Sequence, residues 1–134
     1  MRRLLAIIAL VTSAACSASE TIAPAQSPAV GKWTLITVDG APLPWTFMGS
    51  GANKSELMGT TGSLEANGTW ASTYTLRTTT NGQQSTQSGS SAGSWTLTGN
   101  AVALRSLPDG NVTSGTVSGN TMTLNDGQTK VYMK

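Results

Sequence analysis

Carboxylates are the side chains of this sequence with the widest catalytic potential. The chain has no histidine and one cysteine, which excludes Ser-His and Cys-His nucleophiles and histidine metal sites. A carboxylate pair could still hydrolyse a glycosidic bond. Glu56 and Glu65 share a predicted strand and would come together only if that strand bends. Glu65 is also expected to face solvent. We therefore predict a non-enzymatic protein without catalytic residues, metal site or cofactor. The other carboxylates are Glu20 and three aspartates that precede a glycine in a predicted turn: Asp39, Asp109 and Asp126.

The charge balance gives no sign of a nucleic-acid partner. Eight Lys and Arg stand against six Asp and Glu, but two of the eight, Arg2 and Arg3, belong to the N-terminal segment, so 8 − 2 leaves six of each sign. No basic patch remains for a phosphate backbone. Arg77 and Arg105 each adjoin a residue predicted to face inward. They should point outward, to solvent or to a partner.

The N-terminal segment has the layout of a secretory signal peptide: two arginines, an apolar run over residues 4–11, and small residues up to Ala15. Cys16 follows directly, a placement that resembles the lipobox of bacterial lipoproteins, in which the cysteine is lipidated and becomes the mature N-terminus. The resemblance implies loss of residues 1–15, a membrane anchor through the lipid on Cys16, and a location in the bacterial cell envelope, facing the periplasm or the exterior. Ordinary cleavage after Ala15, leaving Cys16 a free thiol, is the alternative.

Residues 16–30 are predicted to tether a folded domain to that anchor. The segment is rich in Ser, Ala and Pro and has no apolar periodicity, as is typical of a linker. The folded domain is predicted to span residues 31–134.

Within that domain, short strand-like runs alternate with turn signals such as Asn-Gly and Asp-Gly. Proline excludes residues 41–44 from a central strand, and residues 45–48 are predicted to form a turn or a 3₁₀ segment. Eight strands are predicted, at residues 32–38, 56–66, 69–80, 83–98, 101–106, 111–118, 121–125 and 128–133.

The turns can be tested against one another, because residues that face each other across a hairpin share a face of the sheet. A two-residue turn at Gly99-Asn100 sets Trp95 opposite Leu104. A three-residue loop ending at Gly68, with that glycine in the left-handed region, sets Leu64 opposite Trp70. One apolar face therefore runs through successive hairpins.

The same test predicts where that face ends and how it continues into the last strand. A turn at Asn81-Gly82 sets Leu76 opposite Gln87, so the polar hairpin tip over residues 78–91 should protrude from the barrel as a mobile hairpin. A two-residue turn at Asp126-Gly127 sets Met122 opposite Val131.

A meander of about eight antiparallel strands with one apolar face closes into an up-and-down barrel or collapses into a β-sandwich. We predict an all-β protein with a closed barrel, because the last strand can pair with the first. The predicted barrel-lining residues are Trp33, Leu64, Trp70, Tyr74, Leu76, Trp95, Leu97, Val102, Leu104, Val117, Met122, Leu124 and Val131.

The interior of such a barrel admits two functions. Eight strands leave room for packed side chains or for one small ligand, and several predicted inward positions, among them Gly89 and Gly115, carry no side chain. The first hypothesis is a barrel that holds a small hydrophobic ligand. The second is a filled barrel whose hairpin or end loops recognise a protein or a glycan of the cell envelope.

The motif Gly31-Lys32-Trp33 followed by an eight-strand meander resembles the lipocalin-like (calycin) barrels. That resemblance implies a tryptophan that closes one barrel end and a small apolar ligand inside. Lys130 or Lys134 would have to replace the arginine that packs over this tryptophan in the family. The run from Trp33 to Pro42 also resembles the opening of META-type lipoprotein domains, although their Gly-Cys-Asn segment is absent.

Overall fold

A computed structural model describes residues 27–134. All regular secondary structure in this part of the chain is antiparallel β-sheet, as predicted. The strands are β1 (Gly31–Val38), β2 (Ala41–Pro42), β3 (Trp45–Ser50), β4 (Asn53–Leu64), β5 (Thr69–Thr80), β6 (Gln83–Thr98), β7 (Ala101–Leu107), β8 (Val112–Ser118), β9 (Thr121–Asn125) and β10 (Thr129–Met133).

Eight of these strands close into a barrel. From β4 to β10 each strand pairs with the next one in sequence, and β10 pairs with β1. The ring closes where residues 31–34 of β1 pair with residues 61–64 of β4. The prediction of a closed barrel rather than a sandwich is confirmed.

The remaining two strands, β2 and β3, lie outside the ring. The prediction for residues 45–48, which belong to β3, was wrong. Residues 45–48 belong to a strand paired with the first half of β4, not to a turn or 3₁₀ segment. The physical reason is that β4 begins at Asn53, earlier than predicted, and its first half offers a partner edge next to a tight turn at residues 51–52. Stacking of Trp45 on Phe47, with ring centroids 6.2 Å apart, accompanies this strand.

Above the barrel, four strands continue as an open sheet. This extension consists of β3, the first half of β4, the second half of β5 and the first half of β6. β6 pairs with β7 only from Ala92 onward, so that residues 83–91 pair with β5 alone. The polar hairpin thus protrudes as predicted.

The hydrophobic core lies at the closed end of the barrel, where β1 begins. Trp33 is 1% exposed and its Nε1 donates to the Ala29 carbonyl over 2.9 Å. Lys134 Nζ lies over the same ring, 5.2 Å from its centroid. Because Ala29 is completely buried, the packed domain includes residues before 31. The core cluster consists of Ala29, Trp33, Leu64, Trp70, Trp95, Val102, Leu104, Val117, Met122 and Leu124.

Most of the predicted pairings are observed. Gly68 has φ +84° in the loop that sets Leu64 opposite Trp70, as expected for the three-residue version. One pairing was wrong: Met122 faces Tyr132, and Val131 faces Thr123. The predicted pairs Trp95–Leu104 and Leu76–Gln87 are confirmed.

The error in the last hairpin has a local cause. Asn125 pairs with Thr129, so the loop contains three residues instead of the two that Asp126-Gly127 would supply. Gly127 adopts φ +101° and its N–H donates to Asn125 Oδ1 over 3.1 Å. One extra loop residue reverses the faces of β10, which places Val131 on the outer face of the barrel and Tyr132 on the inner face.

Candidate functional site

The barrel contains a cavity of about 320 Å³. It extends from Trp33 and Leu64 at the closed end to Asp126 and Lys130 at the opposite end. The Asp126 side chain is 37% exposed, so this second end reaches solvent. We call it the open end.

The closed end of the cavity is apolar, because its tryptophans direct their N–H groups into the wall. Trp33 Nε1 bonds to Ala29, and Trp70 Nε1 donates to the Arg105 carbonyl over 3.2 Å. The indole rings therefore face the cavity without an unsatisfied donor. The aliphatic side chains beside these rings are Leu64, Leu104, Met122 and Leu124.

Short hydroxyl side chains form the middle of the cavity wall. Ser72 on β5 lies directly opposite Ser91 on β6, and neither can reach across the barrel. Gly62 adds a position without a side chain. The lining residues with short hydroxyl side chains on the inner face, from β4 to β8, are Thr60, Ser72, Ser91, Ser106 and Thr113.

An ion pair and Tyr74 line the open end, and Tyr132 lies opposite Met122, packed against the core cluster. Lys130 Nζ and Asp126 Oδ2 are 2.6 Å apart. Burial, and then the negative charge of Asp126, raises the pKa of Tyr132 to about 12. The Tyr132 hydroxyl is protonated at neutral pH, as that of an ordinary tyrosine is, and can donate a hydrogen bond. Tyr74 packs over Gly89, where an added Cβ would overlap the phenol ring.

Glu56 and Glu65, the two glutamates considered as a possible carboxylate pair, do not come together. Glu56 lies near the start of β4 and Glu65 directly follows its last residue, nine positions away, which corresponds to roughly 30 Å of extended chain. A glycosidase requires its two carboxyl groups within about 10 Å. This pair therefore cannot flank one glycosidic bond.

Glu56 instead joins β4 to β5 through a charge cluster. It accepts hydrogen bonds from Lys54 Nζ at 2.8 Å and from Arg77 Nε at 2.9 Å. The Lys54 hydrogen bond holds the pKa of Glu56 below its usual value; burial opposes this effect and Arg77 adds to it. Both cations are committed to Glu56, so the cluster has a structural explanation. Within residues 27–134, no group of three or more metal-ligating side chains comes together.

The cavity brings together about half of the predicted lining residues. Leu76 lies above the cavity, half-buried on the extension, and Val131 faces outward. Trp95, Leu97, Val102 and Val117 pack in or against the core without lining the cavity. Cys16 lies outside the described residues. The predicted residues that line the cavity are Trp33, Leu64, Trp70, Tyr74, Leu104, Met122 and Leu124.

Sequence reasoning missed two residues of the cavity wall that carry polar groups. Lys130 and Tyr132 line the cavity, but the assumed two-residue turn placed both on the outer face. A three-residue alternative, as tested at Gly68, would have found them: it sets the large Tyr132 against Met122.

No helix within residues 27–134 is long and apolar enough to cross a membrane. No protein-family model matches the chain, and no curated protein is found to be similar to it.

Proposed function

We propose that the protein is a non-enzymatic, lipocalin-like binding protein that holds a small hydrophobic ligand in its barrel. In this proposal a lipid on Cys16 anchors it to the bacterial cell envelope. The cavity of about 320 Å³ is the observation that carries the proposal. Ligand pockets usually measure about 300 to 1,000 Å³, so the ligand would be small.

The distribution of side chains indicates what such a ligand would look like. Its apolar body would lie against the rings of Trp33 and Trp70, and its other end would reach the hydroxyl groups of the cavity wall. A few placed polar groups on an otherwise apolar wall are typical of sites that orient a ligand. A molecule with one apolar and one hydrogen-bonding end fits this arrangement best.

The position of Lys134 supports the lipocalin-like part of the proposal. The resemblance implies a cation over the tryptophan of the Gly-x-Trp motif, and Lys134 Nζ lies 5.2 Å from the centroid of the Trp33 ring. Lys134 also donates to the Pro28 carbonyl over 2.8 Å. The cation thereby fastens the segment before β1 under the closed end.

A pair of neighbouring substitutions tests the ligand site. Thr113→Phe introduces a large ring on the inner face of β8, whereas Ser114→Phe places the same ring on the exposed outer face. The purified chain is titrated with an apolar fluorescent probe, and binding is followed by energy transfer from tryptophan. Saturable binding that Thr113→Phe abolishes and Ser114→Phe preserves supports a ligand in the barrel. Absence of saturable binding, or equal binding by both variants, contradicts it.

The anchor has a separate test. Cys16→Ser removes the only thiol of the chain, so the protein should leave the membrane fraction, and mass spectrometry should find no acyl group. Unchanged membrane association of the variant would contradict a lipid anchor at this residue.

A further inference from the structure

We infer that the open edge of β6 is a self-association site, at which two copies of the chain pair their β6 strands antiparallel. Residues 83–91 bond to β5 on one side only, since β7 joins β6 at Ala92. Eight of these nine residues are exposed and Gly89 is half-buried. Such an edge presents unpaired N–H and C=O groups to any strand that can pair with it.

The hairpin geometry identifies which backbone groups are free. Thr80 pairs with Gln83 across the turn formed by Asn81 and Gly82, whose φ values are 51° and 81°. The two residues that flank a two-residue turn of this kind exchange both of their backbone hydrogen bonds. Along the two strands, hydrogen-bonded pairs then alternate with pairs that are not hydrogen-bonded. The odd-numbered residues of this segment therefore bond to β5. The residues whose N–H and C=O groups point to the open edge are Gln84, Thr86, Ser88 and Ser90.

This edge lacks the features with which proteins prevent strand pairing, namely charges, prolines and bulges. Residues 83–91 contain no charged residue and no proline, and their register with β5 has no irregularity. The opposite edge of the extension is different. Pro44 precedes β3, and the register of β3 shifts between Thr46 and Met48. Only the β6 edge of the extension is left ready to pair.

A second copy of the chain fits this edge because the segment is complementary to itself. In a two-fold register centred on Thr86, Gln84 faces the partner's Ser88 and Thr86 faces the partner's Thr86, so no like charges meet. At these pairs the free backbone N–H and C=O groups of one strand face those of the other, which allows about six backbone hydrogen bonds between the two copies. The two four-stranded extensions then form one continuous sheet across an isologous interface.

The surrounding structure selects this register. Gln83 of the partner subunit would lie opposite Gly89, leaving residues 90–91 beside the partner's turn. The end of β7, where Leu107 pairs with Ala92, stays clear. A register centred one residue later would bring the partner's turn against that end of β7.

Cysteine cross-linking tests the register directly. Thr86→Cys is made in a Cys16→Ser chain, so the new thiol is the only one. Thr96→Cys is the matched control, because Thr96 is exposed on the same strand but lies where β7 covers the edge. We expect roughly tenfold more disulfide-linked dimer from Thr86→Cys after mild oxidation, since paired strands bring Cα atoms within about 5.5 Å. Equal cross-linking at both positions overturns the proposal.

Edge-blocking variants test the association itself. Thr86→Pro removes an N–H that points to the open edge and so preserves the pairing with β5; Thr86→Lys adds a charge at the two-fold axis. The full chain is studied in detergent by analytical ultracentrifugation at tens of micromolar, and circular dichroism monitors its folding. We expect a wild-type dimer and roughly tenfold or greater weakening in both variants. The proposal is overturned if the wild-type chain is monomeric, even if its β6 edge pairs with some other extended chain. It is also overturned if both variants fold and still form the dimer.

Discussion

Replacing Trp33 with phenylalanine should destabilise the barrel by about 3 kcal/mol, which can be worked from two losses. The first is the hydrogen bond of 2.9 Å from Trp33 Nε1 to Ala29, a residue with no exposed surface. A buried carbonyl left without its donor costs about 1–3 kcal/mol. The second loss is buried ring surface of roughly 40 Å², worth about 1 kcal/mol at 25 cal/mol per Å².

Urea unfolding followed by far-ultraviolet circular dichroism measures this change without relying on tryptophan emission. Trp45→Phe is the matched control, because Trp45 is half-buried on β3, outside the barrel ring. It should cost less than about 1 kcal/mol. The denaturant slope should stay the same in both variants, since the surface exposed on unfolding hardly changes.

Lys134→Met tests the contribution of the Lys134 cation to stability separately from that of the Trp33 indole N–H. Its ammonium lies over the Trp33 ring and bonds to Pro28, but Lys134 is exposed, so we expect a loss of about 1 kcal/mol. The reasoning is refuted if Trp33→Phe costs no more than Trp45→Phe. The closed end would then not depend on the buried hydrogen bond to Ala29.

Three further predictions concern other parts of the barrel. Gly115→Ala should destabilise the fold by about 2 kcal/mol in urea unfolding, because its Cβ would overlap the Thr123 carbonyl oxygen, whereas Gly59→Ala, with open space around it, should be nearly neutral. Glu56→Gln should lower the free energy of unfolding at pH 7, and its deficit relative to wild type should shrink as the pH falls below 4.5. The reason is that a carboxylate whose pKa is lowered in the folded state stabilises the protein fully only above its unfolded-state pKa. A deficit that does not depend on pH would contradict this. The raised pKa of Tyr132 stabilises the fold below its ordinary value of 10.0, and about 3 kcal/mol should be lost as the pH rises from 10.0 to about 12. Tyr132→Phe should lack that alkaline loss in pH-dependent unfolding, and an unchanged alkaline profile would contradict it.

The barrel could be predicted from the sequence because its hairpins are short and its inner face is uneven. A register slip of one residue moves every large side chain to the wrong face. Pairs such as Trp95–Leu104 and Leu64–Trp70 therefore excluded most alternative registers of their hairpins. Both pairs lie next to turns whose glycine adopts a positive φ, as at Gly68.

The same reasoning failed where the residues do not discriminate between registers. In β10, Val131 and Tyr132 both carry enough apolar surface to pack in a core, so a two-residue and a three-residue turn each set a suitable side chain against Met122. Loop length decides between them, and the observed loop from Asp126 takes three residues. Lys130 gave no help, since a lysine on an inner face was not expected.

The cavity itself depends on something that hairpin registers do not measure, which is how side-chain volume is distributed along the barrel axis. Eight strands leave an interior that side chains can fill, and the tryptophans do fill the closed end. Toward the open end, inward positions such as Ser72, Ser91 and Thr113 carry side chains too short to meet across the barrel. The large rings are thus segregated at one end and the small hydroxyls at the other, and the space between them is where the proposed ligand would lie.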